Sequence, residues 1–304
     1  MATSHHIQTI AEYHRFMELP KPDNPLISVI KFEDIKRKPD NCLSSIIHNF
    51  YSIALKKNFN GKMKYGQQDF DFDEGVMHFM SPKQVLTIEA TSKEEFKHSG
   101  WLLLIHPDFL WNAPLAKKIK QYEYFSYRVS EALHLSDKEE ILVSGIMQNI
   151  AQEYHSSIDN YSQDVILAQI DLLLTYSERF YQRQFITRKI ANHKILTQLE
   201  SLLTSYFKSD RITNAGIPTV QYISEELNIS PNYLSRILKN LSGQSTKQFI
   251  HDKLIEMAKE KLSTTNLTVN EIAYGLGFEH SQSFSKLFKT KTNLSPLEFR
   301  ATFN

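Results

Sequence analysis

Nine residues near the C-terminal end combine types and spacings that suit one chemistry, hydrogen bonding to the edges of nucleic-acid bases. Asn232, Ser235, Arg236 and Lys239 recur at steps of three and four, and Ser281, Gln282, Ser285, Lys286 and Lys289 repeat that pattern about 50 positions later. Apolar residues interleave with both runs: Leu234, Ile237, Leu238 and Leu241 in the first, Phe284, Leu287 and Phe288 in the second. This periodicity predicts two amphipathic helices, each with one buried stripe and one polar face. Neither polar face carries an acid. Amides and hydroxyls both donate and accept, and a guanidinium donates twice in a plane, which matches the pattern that base pairs present in the major groove; lysines suit phosphates. One such helix reads equally well as an ordinary solvated face. Two of them on a repeated frame do not.

The frame is a duplication. Thr219, Val220, Ile223 and Leu227 reappear 49 residues later as Thr268, Val269, Ile272 and Leu276. After one extra residue, Leu234, Ser235, Arg236, Leu238 and Lys239 match Phe284, Ser285, Lys286, Phe288 and Lys289, and Ser245 and Phe249 match Ser295 and Phe299. Each copy reads as helix, tight turn, helix. Asn228-Ile229 makes the first turn, and Ser230-Pro231 supplies a cap with proline at the first helical position. In the second copy Thr268-Val-Asn-Glu271 is a capping box, Leu276-Gly277-Phe278 turns, and the next helix begins near His280. Closing helices start at the capping boxes Ser245 to Gln248 and Ser295 to Glu298. Between the copies, Thr246 to Leu262 has helical periodicity. At 1.5 Å per residue it forms a spacer of roughly 24 Å, of the order needed to set two reading helices about one DNA turn, roughly 34 Å, apart.

Glu271-Ile-Ala, Leu276-Gly-Phe278, Phe284-Ser285, Phe288-Lys289 and Ser295-Pro296 closely resemble the second helix-turn-helix signature of the arabinose-regulator (AraC) family, and Tyr233-Leu-Ser-Arg236 resembles the first. The likeness covers about Val220 to Arg300. Asn293 stands where the family usually has glycine, a residue tolerant of left-handed backbone, and Ser283 stands where an aromatic is common. The resemblance implies a sequence-specific transcriptional regulator with a homeodomain-like double helix-turn-helix that binds double-stranded DNA. It also implies an N-terminal cupin-like barrel for a small-molecule effector, helices for a homodimer, and contact with RNA polymerase. By the same resemblance, Asn232, Ser235 and Arg236 in the first copy and Ser281, Gln282, Ser285 and Lys286 in the second stand at positions equivalent to the family's base readers.

The first part of the chain is less explicit. Up to Ile105 it reads as short strands, Leu26–Phe32, Ser45–Leu55, Lys62–Gln67, Val76–Phe79, Val85–Ile88 and Trp101–Ile105, rich in aromatic and β-branched residues. Turn residues at Asn60-Gly61, Asp73-Glu74-Gly75, Ser81-Pro82 and His98-Ser99-Gly100 separate them, which predicts an antiparallel sandwich or small barrel. From Pro107 the period becomes helical. Ser136 to Glu139 is a capping box followed by Leu142, Ile146, Ile150 and Tyr154, and a helix from Gln163 to Phe185 carries apolar residues too widely spread for one stripe, as a second subunit's seam would require. Tyr181 to Lys194 reads as a linker or the start of the next helix. The expected class is therefore α+β: an antiparallel cupin-like β-barrel with helices over residues 1–185, then an all-α domain with two helix-turn-helix units over residues 190–304.

Composition narrows the function classes. Hydrophobic residues make up 41% and charged residues 23%, enough for packed cores, and the longest apolar run is Trp101–Ile105, far short of the roughly 20 residues of a membrane span. The start, Met1-Ala-Thr-Ser-His-His6, lacks a basic-then-apolar signal and Cys42 is the sole cysteine, so a reducing cytoplasmic location is expected, with no membrane partner. The 35 basic and 34 acidic residues divide as 13 against 10 from Ile190 onward and 22 against 24 before it, so local charge, not net charge, must steer binding. A cupin metal cluster needs His-x-His, and His48, His78, His98 and His106 never take that spacing; no metal, cofactor or catalytic group is expected. Tyr65, His78 and Trp101 on expected strands are the candidate ligand contacts. Two other readings stay open: a cupin-type enzyme tethered to DNA, and a regulator without a small-molecule ligand that acts through protein contacts.

Overall fold

The computed structural model describes residues 3–35, 44–57, 59–65, 68–72, 75–88, 99–128, 131–156 and 159–303. Cys42, His98 and the Asp73-Glu74 turn lie outside them. The chain divides into two compact units, Met1–Thr187 and Arg188–Asn304. No helix among the described residues is long and apolar enough to cross a membrane.

In the first unit, β1 (Thr3–Ile7) leads through α1 (Ile10–Phe16) to β2 (Ile27–Lys31), β3 (Ser44–His48), β4 (Tyr51–Lys57), the hairpin β5 (Phe59–Tyr65) and β6 (Gln68–Phe72), then β7 (Val76–Met80), β8 (Val85–Ile88) and β9 (Ser99–Ile105). After the short helix α2 (Leu115–Lys118) and β10 (Leu133–His134) come the long helices α3 (Asp137–Tyr154) and α4 (Ser162–Thr187). The strands form a five-stranded antiparallel sheet in the order β10-β7-β4-β9-β2, a three-stranded sheet β1-β3-β8, and the separate β5-β6 hairpin. The expected closed barrel is not formed by these pairings among the described residues. Nor is the arrangement purely antiparallel, because β1 runs parallel to β3.

Three local readings also change. The expected strand Ser45–Leu55 is two strands broken at Asn49-Phe50, each belonging to a different sheet. Asn60-Gly61 lies within β5 and Ser99-Gly100 opens β9, so neither is a turn. Gly100 is a glycine for another reason: its φ is +121°, and a Cβ there would come within 2.0 Å of the Leu55 carbonyl oxygen.

Residues directly opposite across the ladder share a face, which sorts the five-stranded sheet. Ala54, Leu102 and Leu104 join Ile7, Ile10, Ile30, Ile46 and Phe50 in one buried cluster, so this face packs on the three-stranded sheet and α1. The other face meets α3 and an aromatic layer in which Phe79 packs on Tyr124 at 4.5 Å and Tyr124 stacks on Tyr181 of α4 at 5.3 Å. The Ser136–Glu139 capping box opens α3 as its sequence predicts, and Val143, Ile146, Met147, Ile150 and Tyr154 form its buried stripe. Buried Gln184 fastens α4 to the sheet edge, accepting from the His134 N–H at 2.8 Å and donating to the Ala132 carbonyl at 3.1 Å.

The second unit is helical throughout: α5 (Lys189–Lys208), α6 (Arg211–Ala215), α7 (Val220–Glu226), α8 (Pro231–Ser242), α9 (Thr246–Thr264), α10 (Val269–Gly275), α11 (Ser281–Thr292) and α12 (Pro296–Ala301). The expected linker at Tyr181–Lys194 is almost entirely helix, because α4 continues to Thr187 and α5 starts two residues later. The two inner turns adopt the same left-handed backbone at equivalent positions, Asn228 with φ 55° and Gly277 with φ +78°. Asparagine suffices at the first. At the second, a Cβ would stand 2.8 Å from the Ile212 carbonyl oxygen of α6, so the packing demands glycine. Gly275, two residues away on α10, has nothing within 4 Å of such a Cβ.

Two stability measurements test these features. Gly277→Ala is expected to destabilise the protein by about 1–3 kcal/mol through backbone strain alone, with the clash added, whereas Gly275→Ala is neutral or stabilises by up to about 1 kcal/mol; chemical denaturation of the pair checks this. The second concerns two rings of the first unit. Burial lowers the proton affinity of His48, and burial with the nearby Lys56 charge lowers that of His78 to about 3. The unfolded chain binds these protons below about pH 6.5 and the folded chain resists them, so the stability these two rings contribute is full above that pH and falls as pH drops below it. Thermal melts from neutral to mildly acidic pH show this slope, and His78→Gln flattens it.

Candidate nucleic-acid interface

Each of the helices α8 and α11 is placed by its own caps and core. The Ser230 hydroxyl accepts from the Tyr233 N–H at the start of α8, with Pro231 at the first helical position, and Gly243 closes the helix with left-handed φ 71°. At the start of α11 His280 is the cap residue, and Asn293 closes the helix at φ 62°, the glycine-like geometry expected of it. Both supporting capping boxes, Thr268 with Glu271 and Ser295 with Glu298, are made. Hydrogen bonds from backbone and side chain of Thr268 and Ser295 hold the Glu271 and Glu298 carboxyls below their usual proton affinity.

Burial divides the two helices along the expected line. Leu234, Ile237 and Leu238 are buried on α8, and Phe284 and Phe288 on α11, where Phe284 and Phe288 pack at 5.7 Å and Phe288 meets Phe299 of α12 at 5.4 Å. Tyr233 is buried as well, which the polar reading of its neighbours hides. Asn232 and Lys239 are exposed on α8, and Gln282, Lys286 and Lys289 on α11. Arg236, Ser235, Ser281 and Ser285 are half-buried. The Ser235 hydroxyl lies 3.1 Å from that of Thr246, so it is engaged inside the fold. Ser283 is exposed, and its departure from an aromatic therefore leaves no hole in the core.

The electrostatics are one-sided. Arg236 and Lys239 on α8 and Lys286, Lys289 and Lys291 on α11 face no acid from their own helix. Lys291 was not among the expected contacts; it pairs with Asp252 of α9 at 2.6 Å. The connecting helix α9 has 19 residues, about 28 Å at 1.5 Å each, slightly longer than its sequence periodicity implied.

The three candidate ligand residues of the first unit do not converge. His78 pairs with Ala54 and so lies on the face turned toward the three-stranded sheet, alongside Lys56, whose own proton affinity burial lowers to about 8 and whose Nζ sits 5.5 Å from the Phe32 ring. Trp101 lies in the row of Leu55 and Met77, on the opposite face, with Lys31 Nζ at 5.5 Å from its ring. There it borders an open cleft of about 780 Å³ beside α3, together with Gln148, Gln152 and His155. Tyr65 stands on β5, in the separate hairpin. One residue's difference in register parity decides the matter, and sequence alone does not reveal which strands pair.

The family described as "Helix-turn-helix domain" matches residues 223–302. An uncharacterised HTH-type transcriptional regulator, YfiF, of Bacillus subtilis is 24% identical over 84% of this chain and 78% of its own. The arabinose operon regulatory protein of Escherichia coli is 31% identical over 31% of this chain and 32% of its own. The solved C-terminal domain of the two-component response regulator yesN from Fusobacterium nucleatum is 31% identical, covering 37% of this chain and 99% of that one, with a TM-score of 0.30. Residues 223–302, with both inner turns and the helices α8 and α11, belong to the AraC-type helix-turn-helix family.

Proposed function

We propose that the chain is a sequence-specific, double-stranded-DNA-binding transcriptional regulator whose helices α8 and α11 enter successive major-groove segments. The observation that carries this is the duplicated helix-turn-helix whose two outward faces hold cations and amides and no acids. Asn232, Arg236, Gln282 and Lys286 read base edges, and Lys239 and Lys289 meet phosphates. Ser281 and Ser285 contribute hydroxyls at the groove, while Ser235 supports its helix through Thr246. No catalytic step is assigned.

The first unit serves as the regulatory part, in which a small molecule would occupy the open cleft beside α3 that Trp101 borders, away from His78 on the opposite face. Homodimerisation runs along α4. Tyr161, just before α4, and Val165, Leu172 and Ile186 on it are 72%, 42%, 43% and 62% exposed, and the steps of seven and fourteen within the helix draw one apolar stripe. An RNA polymerase contact is compatible with this architecture, as is control through protein contacts alone.

Selection from random duplex pools gives the preferred site. On it, Arg236→Ala is expected to cost about 1–3 kcal/mol and to relax preference at one position, whereas Lys289→Ala weakens all duplexes alike and flattens the salt dependence. Equal loss on selected and random DNA for Arg236→Ala rejects base reading. For the dimer, Leu172→Glu is expected to shift sedimentation from two chains to one without lowering the melting temperature.

A further inference from the structure

Asp252 of α9 touches both helix-turn-helix units at once. Its Oδ1 lies 2.6 Å from Lys291 Nζ, and its Oδ2 accepts from Gln244 Nε2 at 2.8 Å. Gln244 directly follows Gly243, which ends α8, and Lys291 occupies the last turn of α11. One carboxylate thus joins the closing turns of the two reading helices. An acid beside helix C-termini is unfavourable by itself, since the free carbonyls there carry partial negative charge. The two bonds offset that cost.

The duplication breaks at this point. The residue equivalent to Lys291 in the first copy is Leu241, and the residue equivalent to Gln244 in the second is Leu294. Neither copy carries the contact alone, so it exists only to relate one to the other. Side-chain exposures of 28% for Lys291 and 31% for Asp252 shield the pair from much of the solvent screening that weakens surface ion pairs. The neighbouring Lys253 turns to Glu256 at 3.0 Å and does not compete for Asp252.

We propose that Asp252 is a positioning residue that locks α8 and α11 into one relative orientation and thereby sets the separation of the two DNA segments the chain accepts. The proposal rests on the DNA-reading role above. It is tested in the full chain by comparing affinity for the selected duplex with affinity for duplexes carrying one base pair more or fewer between the two segments. Wild type is expected to discriminate, and Asp252→Asn, which keeps shape but removes charge, is expected to reduce that discrimination about two- to fivefold. Combining Asp252→Lys with Lys291→Asp restores it, which a merely structural role would not. A second readout needs no DNA: spin labels at Asn240→Cys and Thr290→Cys in a Cys42→Ser background report a distance distribution that broadens in Asp252→Asn and narrows again in the reversed pair. Unchanged discrimination, equal loss at every spacing, an unbroadened distribution, or failure of the reversed pair overturns the proposal. If wild type prefers no duplex spacing while the distribution still responds to Asp252, the DNA reading fails and the brace stands.

Discussion

The second unit depends on a left-handed residue at the tip of each helix-turn-helix. Only with positive φ at Asn228 and Gly277 does the chain reverse within so few residues that Ile223 can reach the Leu234 side of α8, and Ile272 the Phe284 side of α11. Once those apolar contacts close, the remaining face of each helix has nowhere to go but outward. The polar faces are consequences of the cores behind them. The same economy governs the helix ends, where Gly243 and Asn293 take the left-handed role in opposite order to Asn228 and Gly277. Each copy uses one asparagine and one glycine, and the glycine of the second turn is compulsory because α6 crowds it.

Charge is arranged by the same logic. Acids are absent from α8 and α11 but frequent on the supporting helices, where Glu271 and Glu298 are consumed by capping boxes and Asp252 by its two partners. An almost neutral chain therefore presents two cationic strips without needing a cationic total, which is how local potential can steer binding that net charge would not. Asp252 is unusual among these acids because its partners belong to different copies of the duplication.

In the first unit, the sheet separates two environments. One face carries the apolar cluster, with His78 and Lys56 on the same side and both driven toward their neutral forms by burial. The other carries the aromatic layer that seats α4, with Tyr124 donating to the Leu174 carbonyl at 3.0 Å. Seating α4 from one side explains why its apolar residues are divided, with Ile170, Leu173 and Leu174 buried and Val165 and Leu172 outside.

Short-range chemistry was legible in the residues themselves. The four expected capping boxes, the helices α8 and α11, the turn at Asn228 and the left-handed Asn293 follow from local hydrogen bonding and backbone preference, which act within a few residues. The buried and outward faces of α8 and α11 follow from helical period. What the chain could not disclose by itself depends on partners distant in sequence. The parallel pairing of β1 with β3, the break at Asn49-Phe50, the role of Gly100 within a strand and the opposite faces of His78 and Trp101 are all set by which strands lie side by side. Likewise, Ser235 is drawn inward by Thr246 and Lys291 is claimed by Asp252, contacts that no periodicity encodes because they arise only when separate helices pack together.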